Sequence, residues 1–533
     1  MSLVEIVSAA GRKRAVHFGG PGRALFGFYH PPATEGRLRG GIVLVNPIGT
    51  DQTRSDRTYR HLAERLSAAG FACLRFDLFG TGDSGGEGLE SGLLRSWVDD
   101  VGVAVDELRA LSGATTIGLV GLRLGATLAV VHAAERGDVD SLVLWSPCVS
   151  GAGFATEMTK LHKVYARIEP QLAEAPPGPP GGDEALGLFI PRSLTEDLAG
   201  VDLLQTSRRP AKRTLVIDGG GVQGRDALVA KLKELGAAPE LKTHTGHKFL
   251  ITVSHRAALP EDVIDAIVKW LLAEHPAGDP SKPMERAPAE GPAHERPMAF
   301  GKNHPLFGIF TPAQPARARS DRPAIVISNA GCINRSGPHR SYVKMARRWA
   351  DLGFDVLRVD LSGIGDSPVA AGERENLTYP PSGIDDVEQA IAAAGRDRVI
   401  LAGLCSGGDY AFQLGAREPA LAGAWMLNPR TFCVLDLAAV ESADGSPPTT
   451  SVEAVPRSLR AMAERGVDAL LVVSKNDPGV SYVDSHASEA MQALAHVANF
   501  KRIDLSGADH TFTPVTVQNQ VSDLLAEHLL SKY

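Results

Sequence analysis

The sequence is short of cysteine. Five occur in 533 residues, at positions 73, 148, 332, 405 and 433, and no two form a CxxC pair. An odd, scattered set excludes a disulfide framework and a zinc-binding pattern, and it fits a reducing compartment. Excess basic charge is also absent: 55 Lys and Arg stand against 62 Asp and Glu, a net charge of −7. Neutralising phosphates needs a basic face, so a nucleic-acid partner is not expected. Clusters such as Arg12-Lys13-Arg14 and Arg208-Arg209 read as solvated surface. No apolar run is long enough to span a bilayer, and Met1–Glu5 lacks the basic region and apolar core of a signal peptide. A cytoplasmic protein without a membrane partner is therefore expected. No His/Asp/Glu cluster has ligand spacing, so neither a metal nor another cofactor is expected.

What is present is a repeat. Residues 41–84 and 324–367 align in constant register, pairing Asn46 with Asn329, Tyr59 with Tyr342, Asp77 with Asp360 and Gly80 with Gly363. One residue is lost before Gly121 aligns with Gly403. A repeat this long is a duplicated domain, since solenoid units are much shorter. In each copy a short β-rich run (Ile42–Val45, Ile325–Ser328) precedes a segment of helical apolar spacing (Tyr59–Ala69, Tyr342–Leu352) that ends at Gly70 or Gly353. A second strand-like run follows, Cys73–Phe76 or Val356–Val359. This alternation predicts α/β domains, each a mostly parallel, doubly wound sheet with helices on both faces. The expected boundaries are 1–275 and 297–533, joined by a Pro-, Ala- and charge-rich linker at 276–296. Ala175–Asp183, dominated by Pro and Gly, is read as a loop within an insertion over the first sheet.

The second copy carries the chemistry. The strand-like run Val399–Ala402 leads into Gly403-Leu404-Cys405-Ser406-Gly407-Gly408. A strand running into G-x-nucleophile-x-G is a nucleophile elbow, whose glycines allow the sharp turn that exposes the central side chain. A buried small hydrophobe is the ordinary explanation of such a cysteine. The ordered remainder favours a nucleophile: one strand run ends at Asn476-Asp477-Pro478, and a later one leads to Asp509-His510. Nucleophile, acid and histidine in that chain order make Cys405, Asp477 and His510 the candidate triad. Asp484 and Asp509 are fallback acids. Ser406, one past the centre, is poorly placed to attack, but its backbone N–H suits an oxyanion hole.

These residues resemble the α/β-hydrolase superfamily, and the second copy resembles its serine-aminopeptidase-like and dienelactone-hydrolase-like branches. The latter supplies the precedent for Cys-His-Asp. The segments 329–340 and 361–367 also look like hydrolases that accompany acyl-carrier and exopolysaccharide biosynthesis systems. The resemblance implies two tandem α/β-hydrolase domains. It also implies that the loop after Ser328 supplies a second oxyanion donor, Gly331 or Cys332, with Cys332 lining the pocket and Asn329 beside the substrate.

The first copy keeps the elbow frame, but its centre is Arg123. A guanidinium stays protonated and cannot attack a carbonyl. The strand run Leu215–Ile217 ends in Asp218-Gly219-Gly220-Gly221, with glycine where the second copy has Asp477, and His247 is left without a nucleophile. The first copy thus reads as a pseudo-hydrolase, in which Arg123 either binds a substrate carboxylate or phosphate or pairs with a pocket acid.

The function expected is acyl transfer from an ester or thioester, by a thioesterase, an esterase or an acyltransferase. The substrate is a small molecule, free or carried on a protein. The alternative is a non-catalytic module that binds a metabolite or an acyl-carrier partner. A third possibility is that the duplication reproduces a homodimer within one chain.

Overall fold

The computed structural model describes residues 4–8, 10–33, 37–244, 254–279, 281–284, 289–302, 304–430, 454–486 and 488–533. Contacts divide the chain into two units, Met1–Lys163 with Pro180–Pro292, and Val164–Pro179 with Ala293–Tyr533.

The first unit is built on a nine-stranded sheet. From edge to edge it runs Val4–Ser8, Gly11–Gly20, Arg23–His30, Ala72–Phe76, Gly41–Val45, Ile117–Leu122, Ser141–Trp145, Arg213–Asp218 and Ala238–Thr243. The early hairpin strands pair antiparallel, and from Gly41–Val45 onward the pairings are parallel. A two-stranded hairpin, Gly182–Ala185 with Leu188–Pro191, lies in the insertion.

Among the described residues the second unit has an eight-stranded sheet in the order Arg296–Phe300, Leu306–Thr311, Val356–Asp360, Ala324–Ser328, Val399–Leu404, Leu421–Leu427, Asp468–Ser474 and Phe500–Leu505. Apart from the extra edge strand Val4–Ser8, the two sheets have the same order. Alternation along a strand separates the two faces. Val399 and Leu401 enter one apolar cluster, with the helices Gly383–Ala393 and Ser406–Gly415. Ile400, Ala402 and Leu404 enter the other, with Ser341–Asp351 and Val515–Lys532. Both faces are covered, which is why these strands are apolar throughout and not alternately polar.

The boundaries differ from those expected. Much of the 276–296 segment is hydrogen-bonded to the first unit: Ser281 N–H donates to Gly113 O at 2.9 Å, Met284 N–H to Ala110 O at 2.9 Å, and Ala289 N–H to His17 O at 3.1 Å. Its end belongs to the second unit, where Glu295 is fully buried between Arg358 at 3.1 Å and Arg347 at 2.8 Å. Composition hid this, because one carboxylate among several in a Pro-, Ala- and charge-rich stretch looks solvated. Glu295→Ala leaves the buried Arg358 guanidinium short of its carboxylate, an effect of about 3–5 kcal/mol. Urea unfolding at neutral pH checks this through the loss of the midpoint for the second unit.

Candidate active site

The strand Val399–Leu404 ends at Cys405, whose backbone adopts φ 59° and ψ −120° before the helix Ser406–Gly415 begins. Positive φ is unusual for a residue with a side chain and is held here by its surroundings. Cys405 N–H donates to Leu427 O at 3.0 Å, and Leu404 N–H to the Tyr342 hydroxyl at 3.0 Å. The glycines are needed for packing. A Cβ on Gly403 would stand 2.5 Å from the Gly407 backbone, and one on Gly407 2.9 Å from Asn329 O. The first unit repeats this elbow closely: Arg123 has φ 54° and ψ −123° and donates its N–H to Trp145 O at 2.9 Å.

Asp477 and His510 lie in the turns after the last two strands of the second unit and meet. His510 Nδ1 is 2.5 Å from Asp477 Oδ2, while Asp477 Oδ1 accepts the Gly479 N–H at 2.9 Å. Burial opposes charge on the imidazole, but the hydrogen bond to Asp477 and the nearby Cys405 sulfur outweigh it and raise the His510 pKa to about 10. His510 Nε2, the nitrogen left for Cys405, is buried. The base and acid of the candidate triad are thus joined, and Cys405 lies near enough to act on the charge of the imidazole without a hydrogen bond to Nε2. The fallback acids are otherwise engaged: Asp484 pairs with Arg502 at 2.7 Å, and the Asp509 carboxylate accepts the Thr513 N–H at 2.6 Å.

The oxyanion loop departs from expectation at two positions. Gly331 N–H donates to Ser406 Oγ at 2.9 Å, so this amide is engaged with a side chain instead of facing a reacting carbonyl. Asn329 is fully buried and structural. Its Nδ2 donates to Ile333 O at 2.9 Å, and its Oδ1 accepts the Leu361 N–H at 2.7 Å. Its amide braces the loop, with both ends engaged by backbone groups. Cys332 is partly exposed, with Sγ 3.8 Å from Thr378 Oγ1. Ser406 is the first helical residue, where backbone N–H groups lack intrahelical acceptors.

Two supports were not read from the sequence. Asn428, at φ 38°, donates through Nδ2 to His510 O at 3.0 Å and to the Ser474 hydroxyl at 3.0 Å, and the Ser474 hydroxyl donates to Asp509 O at 2.9 Å. The repeat carried the signal: Leu427-Asn428-Pro429 occupies the place of Trp145-Ser146-Pro147, and Ser146 likewise has positive φ.

In the first unit Arg123 is paired with two acids, Asp51 at 3.3 Å and Glu157 at 2.6 Å. Of the two roles open to it, the geometry shows the ion pair with neighbouring acids. His247, Cys433 and most of Arg430–Pro456, whose Ser, Pro and Ala content predicts a short cap on the second copy, lie outside the described residues. Among the described residues there is no metal-ligand cluster and no helix long and apolar enough to cross a membrane.

Residues 53–204 match the model of a hydrolase family described as serine aminopeptidase, S33. That span includes Arg123 and stops far short of Cys405. Similar solved structures include the esterase Est1E from Butyrivibrio proteoclasticus (19% identity, TM-score 0.36, covering 49% of this chain and 98% of that one). A thermostable carboxyl esterase from Bacillus coagulans (12%, 0.34, 49% and 98%) and a proline iminopeptidase from Mycobacterium smegmatis (10%, 0.33, 49% and 98%) are also similar. A search of curated proteins finds no match. At these identities and scores the structures say nothing of substrate. With the family match in the first half and one sheet order in both units, the chain has the α/β-hydrolase fold.

Proposed function

We propose that the second unit is an acyl-transfer enzyme with Cys405 as nucleophile. The observation that carries this is the strained elbow cysteine beside a histidine bound at 2.5 Å to a buried aspartate. Cys405 Sγ attacks the carbonyl carbon of an ester or thioester, forming a C–S bond as the carbonyl π pair moves to oxygen. Backbone N–H groups at Ser406 and Cys332 stabilise that oxyanion. When it collapses, the bond to the leaving alkoxide or thiolate breaks, and protonated His510 gives that group its proton. Water, an alcohol or an amine then attacks the acyl-cysteine. Neutral His510 takes the proton from the attacking group, and the C–S bond breaks. Asp477 orients the ring throughout and stabilises its charged form. Hydrolysis makes the protein a thioesterase or esterase, and capture by an amine or alcohol makes it an acyltransferase. The acyl donor is a small molecule, free or on a carrier protein.

Turnover of p-nitrophenyl acetate by the full chain tests the assignment. Cys405→Ala abolishes it, whereas Arg123→Ala leaves it within about twofold, because a guanidinium held by Asp51 and Glu157 takes no part in the acyl chemistry. Equal losses in the two variants, with circular dichroism unchanged, would place the reaction elsewhere. Retained turnover in Cys405→Ala would leave a binding module as the better account.

A further inference from the structure

Asp509, the residue before His510, is almost wholly buried, yet its carboxylate takes no part in the triad. One oxygen accepts the Thr513 N–H at 2.6 Å, and the other accepts the phenol of Tyr165 at 2.5 Å. Tyr165 belongs to Val164–Pro179, which counts with the second unit although it is remote in sequence. The same segment has two further anchors around the histidine turn. Gly507 sits at φ 67°, and a Cβ there would stand 2.4 Å from Ala175 Cα, so glycine is what lets the segment lie against the turn. Thr516 Oγ1 donates to Pro176 O at 3.1 Å. The three anchors, at 507, 509 and 516, bracket His510.

We infer that Val164–Pro179 is a strap that fixes the histidine turn, and that Tyr165 is a positioning residue acting on His510 through Asp509. The inference rests on the triad assignment above. A carboxylate buried this deeply keeps its place only while its oxygens have donors. Burial and the Asp509 charge both push the phenol's pKa upward, so Tyr165 remains a donor at any working pH. Without that phenol, Asp509 turns toward water and carries the His510 backbone with it. The imidazole then moves off Asp477, and its protonated form loses the bond that raises its pKa.

The test is the rate at which iodoacetamide alkylates Cys405 in the full chain, followed by peptide mass spectrometry at about pH 6 and about pH 9. A thiol that depends on an imidazolium for its reactivity shows that dependence at the lower pH, whereas at the higher pH thiols in general ionise without such help. Tyr165→Phe slows labelling roughly tenfold at the lower pH and leaves it unchanged at the higher. Thr516→Val gives a smaller change of the same form. A strap serving only to stabilise or shield would alter the rate equally at both values. That result, or a profile like the wild type's in Tyr165→Phe, overturns the inference while Cys405 remains the fastest thiol. Wild-type Cys405 that labels no faster than Cys332 overturns the triad assignment itself.

Discussion

His510→Ala lowers turnover of p-nitrophenyl acetate by about 10²–10⁴-fold, the usual worth of a positioned proton-transfer group. In the proposed reaction the side chain has two roles, and the substitution removes both: it supports the sulfur before attack, and it moves the proton to the leaving group and back from the acceptor. Its pKa of about 10, set by Asp477 and Cys405 against the effect of burial, makes the protonated form dominant near neutral pH. Protonated His510 is suited to give its proton to a departing group, and it becomes a base once that proton has gone. Steady-state rates near neutral pH, with circular dichroism to show that the fold persists, check the prediction. A loss of less than about tenfold would mean that the His510–Asp477 bond is structural.

The elbow was legible in the sequence because its requirements are local. Gly403 and Gly407 are needed for close backbone approach, and Cys405 lies between them, so the pattern specifies the geometry. The order of strands was legible for a similar reason, since the repeated apolar runs mark strands buried on both faces. Contacts set by the tertiary structure were not legible. Asn329 looked like a polar residue at a pocket mouth, yet its position between strands gives it backbone partners that consume both ends of its amide. Gly331 looked like an oxyanion donor, but the Ser406 side chain captures its N–H. Glu295 and Tyr165 lie far in sequence from the groups they bind, Arg358 and Asp509, and nothing in their own neighbourhoods marks them.

The central claim is that one thiol is set apart from the others by its place at an elbow. Cys405 stands at the N-terminus of the helix Ser406–Gly415, near the histidine that serves as base in the proposed reaction. Cys73 and Cys148 are buried in the first unit. Burial pushes the Cys73 thiol far up, and it raises Cys148 to about 12 against the pull of Arg123. Cys332 is partly exposed but bonds to a threonine hydroxyl, which is no base. The most direct measurement is limiting iodoacetamide near neutral pH, with label mapped by peptide mass spectrometry and ester turnover followed in the same samples. The account predicts that Cys405 is alkylated first and that activity falls in proportion to its label. Label spread evenly over several cysteines, or full turnover with Cys405 alkylated, would contradict it.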